Sequence, residues 1–283
     1  MNILITGSKG QLGQELVNDL NETCWTVKGL GREELDVTNY EEVEKILLSL
    51  QPDIIIHSAA YTQVDQAEAD VERAFLVNGE GTKNIAKLAS QIGAKMCYIS
   101  TDYVFDGEKE GAYSINDTKN PQTVYGKSKL AGEQYIQEYC EKFFIVRTSW
   151  VFGLYGPNFV KTMLSLADKR SEIGVVHDQV GSPTYTADLS KFLIQLVQTE
   201  KFGIYHASNT GTCSWYELAT EVFKQAGKSV NVNPLTTKEF PRPAKRPANS
   251  VLSQDKLEEQ GFEKLQHWKD AVKDFINKLN KEL

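Results

Sequence analysis

Short apolar runs alternate with amphipathic stretches through the first half of the chain. Residues 3–6, 25–30, 53–58, 95–100 and 143–148 are strand-length and nearly free of charge, as strands covered on both faces are. Between them, residues 11–20, 40–50, 72–92 and 124–141 repeat apolar positions at helical spacing, the second after the cap-like pair Thr38-Asn39. Strands alternating with helices predict an α/β chain built on a doubly wound parallel sheet. After Ser149 the rhythm changes. Helices are expected over 160–169 and 187–198 and a further strand over 202–207. Two more helices, 215–226 and 267–281, flank Pro-rich sequence from 234 to 247. The pattern divides into a domain over 1–150, to which about 182–208 returns, and a smaller, discontinuous region of 151–181 and 209–283.

Composition narrows the function classes. With 283 residues, 41% of them hydrophobic, the chain can bury a large core. A formal charge of -7 with no Lys/Arg cluster argues against a nucleic-acid surface. The apolar runs are strand-sized, so no membrane partner is expected, and the chain enters its first strand without a signal peptide. Cys24, Cys97, Cys140 and Cys213 form no C-x-x-C, which predicts buried thiols in a reducing cytoplasm. His57, His177, His206 and His267 lack metal spacing, and no metal is expected.

Three glycines, Gly7, Gly10 and Gly13, stand between the first strand and the first helix, which opens Gln11-Leu12-Gly13. Glycine permits the positive φ of the tight turn and removes the Cβ that would block a pyrophosphate. The helix N-terminal N–H groups can then bind that anion, which makes the turn a dinucleotide site on a Rossmann domain. The second constellation is Tyr125-Gly126-Lys127-Ser128-Lys129. Its i, i+4 spacing puts a phenol and an ammonium on one helix face. A cation there favours tyrosinate, so the phenol can exchange a proton with a carbonyl or alcohol oxygen. At the C-terminal edge of the preceding strand, Ser100 or Thr101 can place a hydroxyl over the same oxygen.

Glycines at G-x-x-G-x-x-G after Thr6, followed by Y-x-x-x-K, make the chain similar to the short-chain dehydrogenase/reductase superfamily. Residues 52–62 with Val64 and Glu68, Asn78-Gly79-Glu80-Gly81-Thr82 and Leu35-Asp36-Val37-Thr38 resemble its extended members. The resemblance selects Thr101, with Tyr125 and Lys129, as catalytic. It implies cofactor contacts from Gln11, Leu12, Asp36, Val37, Ala59, Ala60, Tyr61, Thr62, Asn78 and Ile99, and from Tyr125 and Lys129 themselves.

Ser100-Thr101-Asp102-Tyr103-Val104-Phe105, Val124 to Glu133 and Arg147-Thr148-Ser149-Trp150 resemble the branch that reduces nucleotide-linked 4-ketosugars. Related 4,6-dehydratases carry Thr-Asp-Glu where this chain has Thr101-Asp102-Tyr103, because elimination needs a second proton-transfer group. The end of the second strand has no carboxylate before Glu33, and Arg32 can grip a 2′-phosphate, which favours NADPH with NADH as the alternative. Glu33 and Glu34 stand against that preference.

The resemblance implies a dTDP-sugar substrate held by Thr101, Asp102, Trp150, Asn158 and Gln179. Arg246 is the first choice for its pyrophosphate, with Arg242 and Lys245 as competitors. Tyr125 would give the proton, Lys129 would lower the phenol pKa and hold ribose hydroxyls, and Thr101 would hydrogen-bond the carbonyl. Two alternatives stay open: another nucleotide-sugar 4-ketoreductase, and a non-catalytic NADP-binding regulatory subunit. The chain is expected as a monomer or homodimer. Relatives that dimerise through a metal carry an acid where Ala187 stands, so no such bridge is expected from Glu15.

Overall fold

The computed structural model describes residues 1–282. Its first half runs β1 (Asn2–Thr6), α1 (Gln11–Asn21), β2 (Thr26–Leu30), α2 (Tyr40–Leu50), β3 (Ile54–His57), α3 (Val64–Ala67), α4 (Val71–Phe75), a π-helical turn (Leu76–Gly81), α5 (Thr82–Gln91), β4 (Lys95–Thr101), α6 (Val124–Tyr139) and β5 (Phe143–Thr148). The second half runs β6 (Val151–Phe152), α7 (Phe159–Ala167), β7 (Glu172–Val176), β8 (Val180–Gly181), β9 (Thr184–Tyr185), α8 (Thr186–Val197), β10 (Gly203–His206), β11 (Asn209–Thr210), β12 (Cys213–Ser214), α9 (Trp215–Gln225), β13 (Asn231–Leu235), α10 (Asp255–Glu259), β14 (Leu265–His267) and α11 (Trp268–Glu282).

Six strands pair in parallel in the order β2-β1-β3-β4-β5-β10, as the α/β periodicity predicts. Strand alternation sends Ile3 and Ile5 to one face, against Leu16 and Leu20 of α1 and Leu189 and Leu193 of α8. Leu4 goes to the other, against Val43 and Leu47 of α2, Ile85 of α5 and Ile136 of α6. A separate core forms beneath the C-terminal region from Phe152, Val160, Leu218, Val222, Val272 and Phe275. The chain leaves β1 for β2 on one side and then crosses to β3 on the other. Diverging connections of this kind open a crevice at the carboxyl ends of the strands.

Three local expectations change. The helix predicted over 72–92 is interrupted by the π turn around Gly79 and Gly81, where the backbone packs so closely that a Cβ on Gly81 would lie 2.8 Å from Val37 Cγ2. The Pro-rich stretch begins with a strand: β13 pairs in parallel with β7, an element not expected from the pattern, and Pro234 is accommodated in this two-stranded edge. Cys24 is exposed, whereas Cys97, Cys140 and Cys213 are buried as expected. Among the described residues no helix is long and apolar enough to cross a membrane.

Candidate active site

The crevice end of β1 is shaped by glycine. Gly7 has φ +66°, and a Cβ there would lie 2.6 Å from the Ala59 amide nitrogen; a Cβ on Gly13 would lie 2.2 Å from Gly7 O. The turn therefore lies directly against both α1 and the exit of β3. Gly10 caps α1 with no side-chain hydrogen bond, so the helix start presents backbone donors and the positive end of its dipole without a built-in acceptor. This geometry fits a pyrophosphate. Leu12 is buried beneath the turn, and Gln11 Oε1 accepts from Asn158 Nδ2 at 3.1 Å.

The segment 59–62 follows β3 along the crevice. Asn78 fixes it: its Oδ1 accepts the Tyr61 N–H at 2.8 Å, and its Nδ2 reaches Tyr61 O at 3.1 Å and Ser128 Oγ at 2.9 Å. Asn78 is fully buried and supports the loop that faces the crevice. Val37 likewise lies under Gly81 in the core, and Asp36 accepts from the backbone and hydroxyl of Thr38. Arg32 is exposed and forms no ion pair among the described residues. Lys9, which the motif left unassigned, stands 3.4 Å from Glu33 and 3.7 Å from Glu34, while Glu34 accepts the Gly31 N–H at 2.8 Å. Both glutamates that weighed against a phosphate are thus already engaged.

At the end of β4, Thr101 Oγ1 donates to Asp102 Oδ1 at 2.9 Å, beside the Tyr125 phenol on α6. Burial, with the nearby Asp102 charge adding to it, pushes the phenol above its ordinary range, so Tyr125 is protonated at neutral pH. Lys129 Nζ donates to Ile99 O at 2.7 Å and lies 4.0 Å from the centre of the Tyr98 ring. Burial pulls its ammonium down to about 7, against the opposing charge of Glu133. The Lys129 ammonium is turned to the strand, and burial is the largest influence on the phenol. Ile99 enters the site through its carbonyl.

A buried ion pair lies beneath this triad. Arg147 on β5 donates from Nε to Glu133 Oε1 at 2.8 Å and from Nη2 to Oε2 at 2.7 Å, and Ser100 Oγ reaches the same carboxylate at 2.6 Å. His206 lies 3.3 Å from Arg147 Nη1, its pKa lowered to about 3 by burial and then by the guanidinium. Glu133 is one turn beyond Lys129 on α6, so the pair sets that helix against β4 and β5. Sequence reading missed this network, although the i+4 step from Lys129 to Glu133 was visible.

The far wall is aromatic. Trp150 has φ +50°, a left-handed conformation rare for a bulky residue, and stacks on Trp215 with ring centres 3.6 Å apart and planes 12° apart. Phe159 packs on Trp215 at 4.6 Å, and a Cβ on Gly181 would lie 2.6 Å from the Trp150 indole. Trp215 carried no motif signal. Asn158 caps α7, accepting the Lys161 N–H at 3.0 Å while it holds Gln11. Gln179 is buried and donates to Thr237 Oγ1 at 2.9 Å. Of the three candidate cations, Arg246 and Arg242 converge on Asp65, at 2.8 and 3.0 Å, whereas Lys245 pairs with Glu108. Glu15 is buried on α1 and accepts from Thr186 Oγ1 at 2.8 Å.

Residues 1–281 match the family model for the RmlD substrate binding domain. Among relatives, the chain is 43% identical to a dTDP-4-dehydrorhamnose reductase of Aggregatibacter actinomycetemcomitans, covering 96% of this chain and 97% of that protein. It is 42% identical to the spore coat polysaccharide biosynthesis protein SpsK of Bacillus subtilis (strain 168), covering 97% and 96%. Among solved structures, a dTDP-4-dehydrorhamnose reductase from Bacillus anthracis str. Ames in complex with NADP superposes with a TM-score of 0.96 at 44% identity, covering 98% of this chain and 99% of that one.

Proposed function

Since this chain belongs to the RmlD substrate-binding-domain family, we propose that it reduces dTDP-4-dehydro-β-L-rhamnose to dTDP-β-L-rhamnose with NADPH, a step of dTDP-rhamnose biosynthesis. The observation that carries this reading is a buried, protonated phenol, Tyr125, beside Thr101 at the mouth of a crevice whose glycine turn fits a dinucleotide. When bound, NADPH supplies the hydride.

Tyr125 gives its proton to the developing C4 oxygen, Thr101 steadies that oxygen by hydrogen bonding, and buried Lys129 holds ribose hydroxyls and favours the tyrosinate that forms. Gly7, Gly10, Gln11, Leu12, Gly13 and the 59–62 segment form the dinucleotide cradle, with Arg32 at its 2′-phosphate. Asp102 and Trp150 face the sugar, and Arg246 takes the diphosphate, exchanging its contact with Asp65 for it. Residues 1–150 with 182–208 form the NADP-binding domain, and 151–181 with 209–283 the substrate-binding region. The enzyme works in the cytoplasm on a dTDP-sugar, as a monomer or homodimer. The test is cofactor oxidation with dTDP-4-dehydrorhamnose, run in parallel with NADPH and NADH; absence of turnover with both would overturn the reading.

Two predictions accompany it. Arg32→Ala should weaken NADPH by about 1.5–3 kcal/mol, the range for a hydrogen bond to a charged group, and leave NADH almost unchanged. Calorimetric titration of both cofactors checks this, and equal losses would give Arg32 another role. The chain should also leave dTDP-glucose intact when supplied with NAD, because Tyr103 is a desolvated phenol whose pKa is raised by burial and then by Asp102. Asp102 alone cannot both remove the C5 proton and protonate the C6 hydroxyl. A product lighter by one water in mass spectrometry would contradict the reductase assignment.

A further inference from the structure

We propose that Ser250 is a positioning residue for the reduction, its hydroxyl fixing the Asp102 carboxylate toward the sugar and so making the segment 247–252 part of the substrate site. The inference rests on the functional reading above. Asp102 and Ser250 are 148 residues apart, yet Ser250 Oγ donates to Asp102 Oδ2 at 2.6 Å, and both side chains are buried. Thr101 takes the other oxygen at 2.9 Å, so one hydroxyl holds each carboxylate oxygen and the plane of the group is set.

The segment that delivers Ser250 is itself fastened on two sides. Against β8, Ser250 N donates to Val180 O at 2.8 Å and Val180 N to Ala248 O at 2.9 Å. Against the loop after β4, Asn249 N donates to Gly107 O at 3.0 Å and Tyr113 N to Val251 O at 2.8 Å. Gly107, at φ +77°, lies so close to this segment that a Cβ would be 2.3 Å from Pro247 Cβ. The backbone of this segment is therefore held in place around one side-chain hydroxyl, and that hydroxyl meets the carboxylate beside the catalytic threonine.

The chemistry gives the contact a purpose. An ionised Asp102 accepts from sugar hydroxyls, whereas a protonated one donates and loses that pairing. Burial raises the carboxyl to about 6, and the Ser250 and Thr101 hydroxyls, in that order, oppose the rise. The groups facing Asp102 are the phenols of Tyr103, from its own turn, and Tyr125, from α6; Arg246 and Asp65 lie beyond Tyr103. Without Ser250 the carboxyl gains protons at higher pH, and the site loses an acceptor in the neutral range.

The experiment compares Ser250→Ala, Ser250→Thr and Asp102→Asn in the full chain, following NADPH-dependent reduction of dTDP-4-dehydrorhamnose from about pH 5.5 to 8.5. Ser250→Ala should raise KM about tenfold at neutral pH, the fold-change of one hydrogen bond to a charged group, with the loss larger in KM than in kcat. The acid limb of kcat/KM should move to higher pH, and Ser250→Thr should restore both. Adding Ser250→Ala to Asp102→Asn should cost almost nothing further. If the alanine variant loses NADPH binding, Ser250→Cys keeps the volume with a weak donor and gives the same comparison. An unmoved acid limb, or additive losses in the double variant, would overturn the inference. Absence of turnover by the wild-type chain would instead overturn the functional reading beneath it.

Discussion

Tyr125→Phe is expected to lower kcat by about 10²- to 10⁴-fold, equivalent to about 3–5 kcal/mol of transition-state stabilisation, while NADPH binding persists. The substitution removes one oxygen and leaves the ring. That ring packs edge-on against Tyr103, with centres 5.5 Å apart, so the helix keeps its seat. What disappears is a proton. The phenol is the protonated group beside Thr101, and burial keeps it neutral well above physiological pH, which suits a general acid in the direction of reduction. Asp102 does not substitute for it, because a carboxyl that titrates at about 6 is mainly ionised at neutral pH and accepts, rather than donates, hydrogen bonds. Steady-state rates with saturating NADPH, alongside a cofactor titration, measure the effect. Turnover within about threefold of the wild-type rate would remove Tyr125 from the role of general acid.

Arg147→Met should destabilise the chain by about 3–5 kcal/mol, the cost of leaving a buried charge without its partner. Arg147 and Glu133 are almost completely inaccessible and share two hydrogen bonds. Methionine matches the length of the arginine stem but leaves the Glu133 carboxylate with only the Ser100 hydroxyl of its present donors. His206 offers no rescue as a cation, because burial and the guanidinium now hold it neutral; with the guanidinium gone, charging it would still require desolvating an imidazolium. Thermal unfolding should shift down by at least ~6 °C, at about 2–4 °C per kcal/mol for a chain of this size. Replacing both partners, as Glu133→Leu with Arg147→Met, should recover most of the loss, since an apolar pair of similar volume removes the unpaired charge. A single substitution that leaves the melting temperature unchanged would contradict this account of the pair. Because α6 carries Tyr125 and Lys129 while β4 carries Thr101, the single variant should also lose activity at temperatures where it remains folded.

Much of this molecule is written in short-range pattern. The runs of β-branched and aromatic residues at 3–6, 54–57 and 143–148 are buried on both faces, and a parallel sheet is the arrangement that buries them. The glycine turn and Tyr125-x-x-x-Lys129 are equally local: a loop that needs positive φ and two groups one helical turn apart are fixed within a few residues of chain. Such features are legible because the physical constraint and the sequence that meets it occupy the same place. The break at Leu76–Gly81 was not, since a helical period survives on both sides of a π turn and only packing against Val37 and α6 shows the difference.

The electrostatics of the site belong to the tertiary structure. The ammonium of Lys129 and the phenol of Tyr125 lie at the predicted spacing, but whether one shifts the other depends on the Ile99 carbonyl, 30 residues away, and on desolvation, which no spacing records. That the Asn158 side chain caps α7 is seen only in the fold, and Arg242 and Arg246 read as free cations until Asp65, 177 residues from Arg242, meets them. The sequence by itself determined the strands of the main sheet, the helices that cross between them, the glycine turn and the Tyr125–Lys129 spacing, because periodicity, turn geometry and i, i+4 spacing are local. Folding alone decided which of those groups are charged, paired or aimed, because a buried carboxylate, ammonium or phenol takes its state from neighbours that arrive from other strands and helices.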